Sequence, residues 1–171
     1  ETGAERIPWD YKPRLWQGHP LLYDVNHWTE DELFRVGTVD AIWRETQAGM
    51  DALLARYGMI RDGHLYRCDN NQPDTIVLFC HFGIMMACIG HLLGVSPMLL
   101  WHGFCTQPSS VTTLVTEERV KDEVVFRCMQ SGDLSHLYAA DEPYSTAALF
   151  PECYTGRDST DPPEWDALGY R

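Results

Sequence analysis

The stretch from residue 74 to residue 94 constrains the fold of this chain more than any other. Residues 75–80 are an uninterrupted apolar run, rich in β-branched and aromatic side chains, that follows Pro73 and Asp74. Such a run is typical of a strand covered on both faces, as the strands of parallel sheets are. We therefore expect a buried parallel strand that ends at His81 and leads into a helix.

His81 is the candidate functional residue of this stretch. Ligands bind at the carboxyl ends of strands in open α/β sheets, and a helix that begins there directs free N–H groups towards an anion. Gly83 allows the backbone a close turn into that helix. The position predicts a phosphate-binding imidazole. The alternative is a buried histidine whose ring is satisfied by neighbouring backbone.

The composition restricts the class of partner. The chain has 171 residues, of which 25 are acidic and 13 are basic, so its formal net charge is −12. This balance argues against nucleic acid and against an anionic membrane surface. A small anionic ligand is compatible with it if a few cations converge locally. The length is that of a single domain, residues 1–171, with a substantial core.

The cysteines and the hydropathy pattern indicate a cytoplasmic protein. A chain of this length does not need disulfides as staples, and two of its six cysteines lie in predicted core elements, so we expect reduced thiols. The N-terminal residues lack the apolar core of a signal peptide. The longest apolar run, residues 84–93, contains Gly90 and His91 and is too short to span a bilayer.

The first half of the chain predicts an aromatic loop followed by a helix and a hairpin. Residues 1–31 contain three prolines and three tryptophans without a regular period, which is typical of a lid or a binding segment. Thr29 and Glu32 match a capping box. Apolar residues at spacings of three and four predict a helix that begins after Thr38 and ends at Gly58. Residues 59–68 resemble a small hairpin.

The second half predicts two helices, a hairpin and an irregular end. Gly94 ends the helix that follows His81, and Ser96 with Pro97 begins a short second one. Residues 111–117 and 123–128 predict an antiparallel hairpin at a sheet edge. From residue 131 the sequence loses its periodicity, and residues 154–171 are expected to be a tail.

Two patterns that involve cysteines are candidates for chemistry. Cys88 with His91, and His102 with Cys105, have the spacing of zinc ligands, but an apolar helix that packs on a sheet is a poor place for a metal, so no metal is expected. Cys80 precedes His81 directly, and neighbouring residues of a strand point to opposite faces. The His81 ring therefore cannot be the base of Cys80, which we interpret as a core thiol.

Three segments carry a resemblance to a known family. These are residues 78–83 (Leu-Phe-Cys-His-Phe-Gly), residues 109–114 (Ser-Ser-Val-Thr-Thr-Leu) and residues 132–137 (Gly-Asp-Leu-Ser-His-Leu). In this order they resemble the C-terminal half of the histidine phosphatase superfamily, which has the phosphoglycerate mutase-like fold. Residues 7–10 and 95–104 are similar to a bacterial branch of broad-specificity phosphatases.

The resemblance implies a fold and a chemistry. The fold is a three-layer α/β/α sandwich with a mostly parallel central sheet, and the reaction is phosphomonoester hydrolysis through a phosphohistidine, without metal or other cofactor. His81 matches the family's second histidine, which binds the phosphoryl oxygens of a phosphorylated small molecule or of inorganic phosphate. Phe82, Gly83 and His102 are assigned to the wall of the same pocket, although His102 could equally serve the packing of Trp101.

The chain departs from the family in one respect. No Arg-His-Gly motif occurs in the 171 residues, so the nucleophile, a second pocket arginine and the N-terminal strand and helix of the fold are missing. Neither Glu1 nor Glu5 can be matched to the proton-donating carboxylate. We interpret the chain as an incomplete, C-terminal part of a histidine phosphatase domain that is inactive alone, and its partner as the missing N-terminal half or a second copy.

Two alternatives remain open. One is a catalytically inactive interaction module on the same fold, which binds a partner through its aromatic loop. The other is a phosphoryl transferase of the phosphoglycerate mutase type. The small number of basic residues favours simple hydrolysis over this second alternative. His136, in the third of the similar segments, is expected to maintain the fold.

Overall fold

The structure is a computed structural model that describes residues 7–35, 37–68 and 74–148. The chain divides into two compact units. The first consists of residues 1–104 and 116–127, and the second of residues 105–115 and 128–171. The predicted tail, residues 154–171, lies outside the described residues, as do Glu1 and Glu5.

The aromatic segment of the first unit is part of the core. It is a series of short helical turns that include α1 (Pro13–Trp16), and its side chains Leu22 and Trp28 are almost fully buried, as is Phe34 just after it. The capping box predicted at Thr29 and Glu32 is wrong, because the Thr29 hydroxyl donates instead to the Asp40 carboxylate in the next helix. Over its described residues, the predicted aromatic loop is therefore a packed layer of the core, because its tryptophans remove a large apolar area from water.

Helix α2 (Val39–Ala55) confirms the helix predicted after Thr38. Its buried residues, Trp43, Met50 and Leu54, recur at spacings of seven and four and form one face. Gly58 follows with a φ of 79°, the left-handed conformation that ends a helix. The Thr38 side chain makes no capping hydrogen bond.

The hairpin predicted at residues 59–68 is present as β1 (Met59–Asp62) and β2 (Leu65–Cys68), which pair antiparallel. Gly63, with a φ of 61°, makes the turn. The Tyr66 ring is 1% exposed and packs with Leu54 of α2. The short strands are thus held by α2.

Four strands form the sheet, in the order β1-β2-β4-β3, where β3 is Val111–Val120 and β4 is Glu123–Asp133. The pairings are antiparallel, so the mixed α/β class is confirmed and the mostly parallel sheet is wrong. The predicted hairpin at residues 111–128 is the β3–β4 pair. Antiparallel strands need only a short turn between them, here with Asp122 at a φ of 65°.

Residues 74–80 form no strand, and this corrects the central expectation of the sequence. The side chains of Val77, Leu78 and Phe79 are 67%, 51% and 97% exposed. An apolar β-rich run becomes a buried strand only if other strands pair with its edges and further elements cover its faces, and none of the strands in the described part of the chain pairs with it.

Two helices follow, as predicted. Helix α3 (Phe82–Leu93) ends at Gly94, which has a φ of 67°, and α4 (Pro97–Gly103) begins after Ser96. The Ser96 side chain does not cap α4; its hydroxyl donates to the Leu22 carbonyl oxygen of the aromatic segment. That hydrogen bond ties the junction of the two helices to the aromatic segment.

The described part of the second unit contains the ends of the hairpin strands and a short helix, α5 (Ser135–Ala139). Sequence periodicity did not predict α5, because five residues are too few to show a period. It begins where the Asp133 carboxylate accepts hydrogen bonds from the Ser135 backbone N–H and hydroxyl. His136, expected to maintain the fold, is exposed on this helix.

Candidate functional site

His81 lies exposed at the start of α3. Its backbone is extended, with φ −112° and ψ 161°, and its carbonyl oxygen accepts the first helical hydrogen bond from the Met85 N–H at 2.9 Å. The N–H groups of the first turn of a helix have no partner within the helix and carry a partial positive charge. The imidazole is therefore not the buried histidine of the alternative interpretation, and an anion could reach it from solvent.

Gly83 is buried beneath two indole rings. An added Cβ would lie 2.4 Å from the Trp9 ring, and the Gly83 carbonyl oxygen accepts a 2.9 Å hydrogen bond from Trp101 Nε1. Phe82 packs edge-on against Trp9. Both predicted wall residues therefore contact the aromatic segment, and their packing fixes the first turn of α3 and with it the position of His81.

The contacts of His102, at the end of α4, stabilise the fold. Its Nε2 lies 3.1 Å from the Pro8 carbonyl oxygen and its ring stacks on Trp16 with 4.7 Å between centroids. Burial lowers the pKa of His102, against the opposing effect of the Pro8 carbonyl oxygen. The neutral ring donates from Nε2 to Pro8, next to Trp9. Among the predicted site residues, His102 thus holds the segment that packs on Phe82 and Gly83.

The cysteine alternatives gain no support from the geometry. Burial raises the pKa of the Cys88 thiol to about 11, and partial burial also raises the pKa of Cys80, so neither thiol is activated as a nucleophile. Within residues 7–35, 37–68 and 74–148, no group of three or more His, Cys, Asp or Glu side chains could hold a metal ion.

A polar cluster that the sequence analysis missed lies further along α3. His91 is 3% exposed, and its Nε2 lies 2.7 Å from Asp51 Oδ1, which also accepts from the Tyr66 hydroxyl. The available signal was a histidine within an apolar helix opposite an acidic residue of the amphipathic helix α2. Sequence spacing placed His91 only in a Cys88 zinc pattern that was not expected to bind metal, and gave no sign that the fold pairs it with a carboxylate.

No family model, curated protein or solved structure matches the chain. The resemblance to histidine phosphatases therefore stays a prediction. In the part of the chain that the structure describes, we find no helix with the length and apolar character needed to cross a bilayer.

Proposed function

We propose that this chain is the phosphate-binding part of a metal-independent phosphomonoesterase of the histidine phosphatase type. His81 binds the phosphoryl group, and residues outside this sequence supply the nucleophilic histidine. The observation that carries the proposal is the exposure of the His81 ring beside the N-terminus of α3. The substrate is a phosphorylated small molecule, and inorganic phosphate is the product.

The chemistry needs two imidazoles. The nucleophilic histidine attacks phosphorus, the ester P–O bond breaks and the alcohol leaves with a proton from a carboxylic acid; water then hydrolyses the phosphohistidine. His81 donates hydrogen bonds to the phosphoryl oxygens, on which negative charge is concentrated during transfer. The peptide dipoles at the start of α3 act in the same direction.

The run at residues 74–80, most of which is exposed, is where we place the rest of the enzyme. Val77, Leu78 and Phe79 expose apolar side chains immediately before His81. A strand that added to this run would pair with its backbone and would bring its own residues next to the imidazole. In the proposal, the three-layer α/β/α arrangement forms only once the rest of the enzyme has been added. The missing N-terminal half is the preferred occupant, and a second copy of the chain is the other.

The test is hydrolysis of 4-nitrophenyl phosphate by the intact protein, including any residues that precede residue 1, in the presence of a chelator. We expect His81→Ala to lower kcat/KM by two or more orders of magnitude, and the matched variant of the exposed His136, His136→Ala, to retain the activity. Activity that needs a divalent metal, or that survives His81→Ala, would contradict the proposal. Transfer of the phosphoryl group to a second organic acceptor, with little phosphate released, would identify a mutase instead.

The second candidate is an interaction module without catalysis, and the 97% exposure of Phe79 favours it. In that case the apolar run binds a partner strand and the imidazole has no phosphate to bind. The two functions differ in one measurement: a phosphatase shifts the NMR signals of the His81 ring when inorganic phosphate is added, and the module does not.

A further inference from the structure

The polar cluster around His91 joins three elements of the first unit. His91 of α3 contacts Asp51 of α2 through Nε2 at 2.7 Å and Gln47 of α2 through Nδ1 at 3.5 Å. Tyr66 of β2 donates to the same Asp51 oxygen at 2.7 Å, and Arg61 of β1 donates from Nη2 to the His91 carbonyl oxygen at 3.1 Å. Both ring nitrogens of a buried imidazole are therefore occupied.

The partners determine where the ring proton lies. The Asp51 carboxylate only accepts, so the single proton of the neutral ring is on Nε2, and Nδ1 is left to accept from the Gln47 amide nitrogen at 3.5 Å. A second proton on Nδ1 would set two donors against each other. It would also add a positive charge close to the Arg61 guanidinium, which lies over the Tyr66 ring at 4.8 Å.

We propose that His91 is a pH-sensitive latch: protonation of its ring weakens the attachment of α3 to α2 and to the β1–β2 hairpin. The neutral ring donates to Asp51 and accepts from Gln47. The charged ring still donates to Asp51, but its Nδ1 can accept nothing from Gln47 unless the amide rotates so that its oxygen faces the ring. The groups that face the ring are Asp51 and Gln47 with the Trp43 ring from α2, Arg61 from β1, and through Asp51 the Tyr66 hydroxyl from β2.

The direction of the effect follows from the charges. Burial lowers the pKa of His91 below its ordinary value of 6.5, the Arg61 charge acts in the same direction, and Asp51 opposes both. Between the folded and the unfolded pKa values the unfolded chain therefore binds more protons. The contribution to stability is complete above pH 6.5 and is lost as the pH falls below it. Burial raises the pKa of Tyr66, so its hydroxyl keeps its proton throughout.

The test is urea unfolding of the whole chain from pH 8 to pH 5.5, together with NMR titration of the His91 ring. We expect a midpoint below 6.5, and an unfolding constant that rises by up to about tenfold per pH unit below 6.5. His91→Gln should lose this component of the pH dependence. The matched variant His136→Gln, at an exposed ring, should keep it.

A second variant keeps the histidine. In Gln47→Glu a carboxylate can accept from a protonated Nδ1, so the His91 midpoint should rise above that of the parent and stability should depend less on acid. A parent midpoint at or above 6.5, a pH dependence unchanged in His91→Gln, or a midpoint that does not rise in Gln47→Glu would each overturn the latch.

Discussion

At residue 83 the chain has room for a hydrogen atom where other residues carry a Cβ. The Trp9 ring lies where that Cβ would be, and the Trp101 indole holds the carbonyl group of the same residue. Glycine was predicted here for its conformational freedom, but α3 is an ordinary helix at this point. The glycine is required because an aromatic ring approaches the backbone closely.

We expect Gly83→Ala to lower the free energy of unfolding by about 1–3 kcal/mol, because Trp9 must move out of its place to admit the methyl group. Gly49→Ala is the matched control in α2, since its Cβ would meet nothing within 4 Å. That control should raise the free energy of unfolding by about 0.5–1 kcal/mol. Urea unfolding of the two variants measures both effects, and equal effects of the same sign would contradict the close packing.

The positions of individual histidines could be predicted from the sequence only in part. His81 lies at the predicted helix start but not at the end of the predicted strand, and the environment of His102 followed from nothing in the local sequence. The Pro8 carbonyl oxygen and the Trp16 ring that fix His102 lie far from it along the chain. Contacts of that kind depend on the tertiary fold, and a single sequence carries no period that predicts them.

Among the elements, those with local signals were predicted and those that need partners were not. Helix α2 has apolar residues at helical spacing, and the Asp-Gly pair at residues 62–63 indicated a tight hairpin, whose turn the structure makes from Gly63 and His64. Residues 75–80 have the composition of a buried strand, but their composition does not determine which other strand would pair with them. The strands that would cover this run are not specified by the run itself, and the described chain does not provide them.

The tie between β2 and α2 can be tested through the Tyr66 hydroxyl. Tyr66→Phe removes its 2.7 Å hydrogen bond to Asp51 and leaves the ring in place, so we expect a loss of about 1–2 kcal/mol in the free energy of unfolding. Tyr138→Phe, at a ring that is 90% exposed, should change it by less than about 0.5 kcal/mol. A Tyr66→Phe variant as stable as the parent would show that the hydroxyl adds nothing to the tie.

At the scale of the whole molecule, the exposed apolar run at residues 77–79 is expected to add little to the stability of the chain. In the proposal it serves the assembly of the chain with a partner. We expect Phe79→Ser to change the free energy of unfolding of the chain by less than about 0.5 kcal/mol, because the ring is 97% exposed. Leu54→Ala, at a core side chain that is 3% exposed, should cost about 2–5 kcal/mol. Urea unfolding checks both values. A large loss in Phe79→Ser would mean that the run is packed in the protein.

The hydrogen bond from Ser96 to the Leu22 carbonyl oxygen spans 74 positions of sequence. A contact of that span forms only after a long loop has closed, which slows folding. On the ribosome, the part of the cover over Leu22 and Trp28 that comes from Ser96 and Trp101 is therefore absent until α4 has emerged. Nascent chains of this protein should engage holding chaperones during that interval, and release from them should coincide with synthesis of the Ser96 region rather than of the first thirty residues.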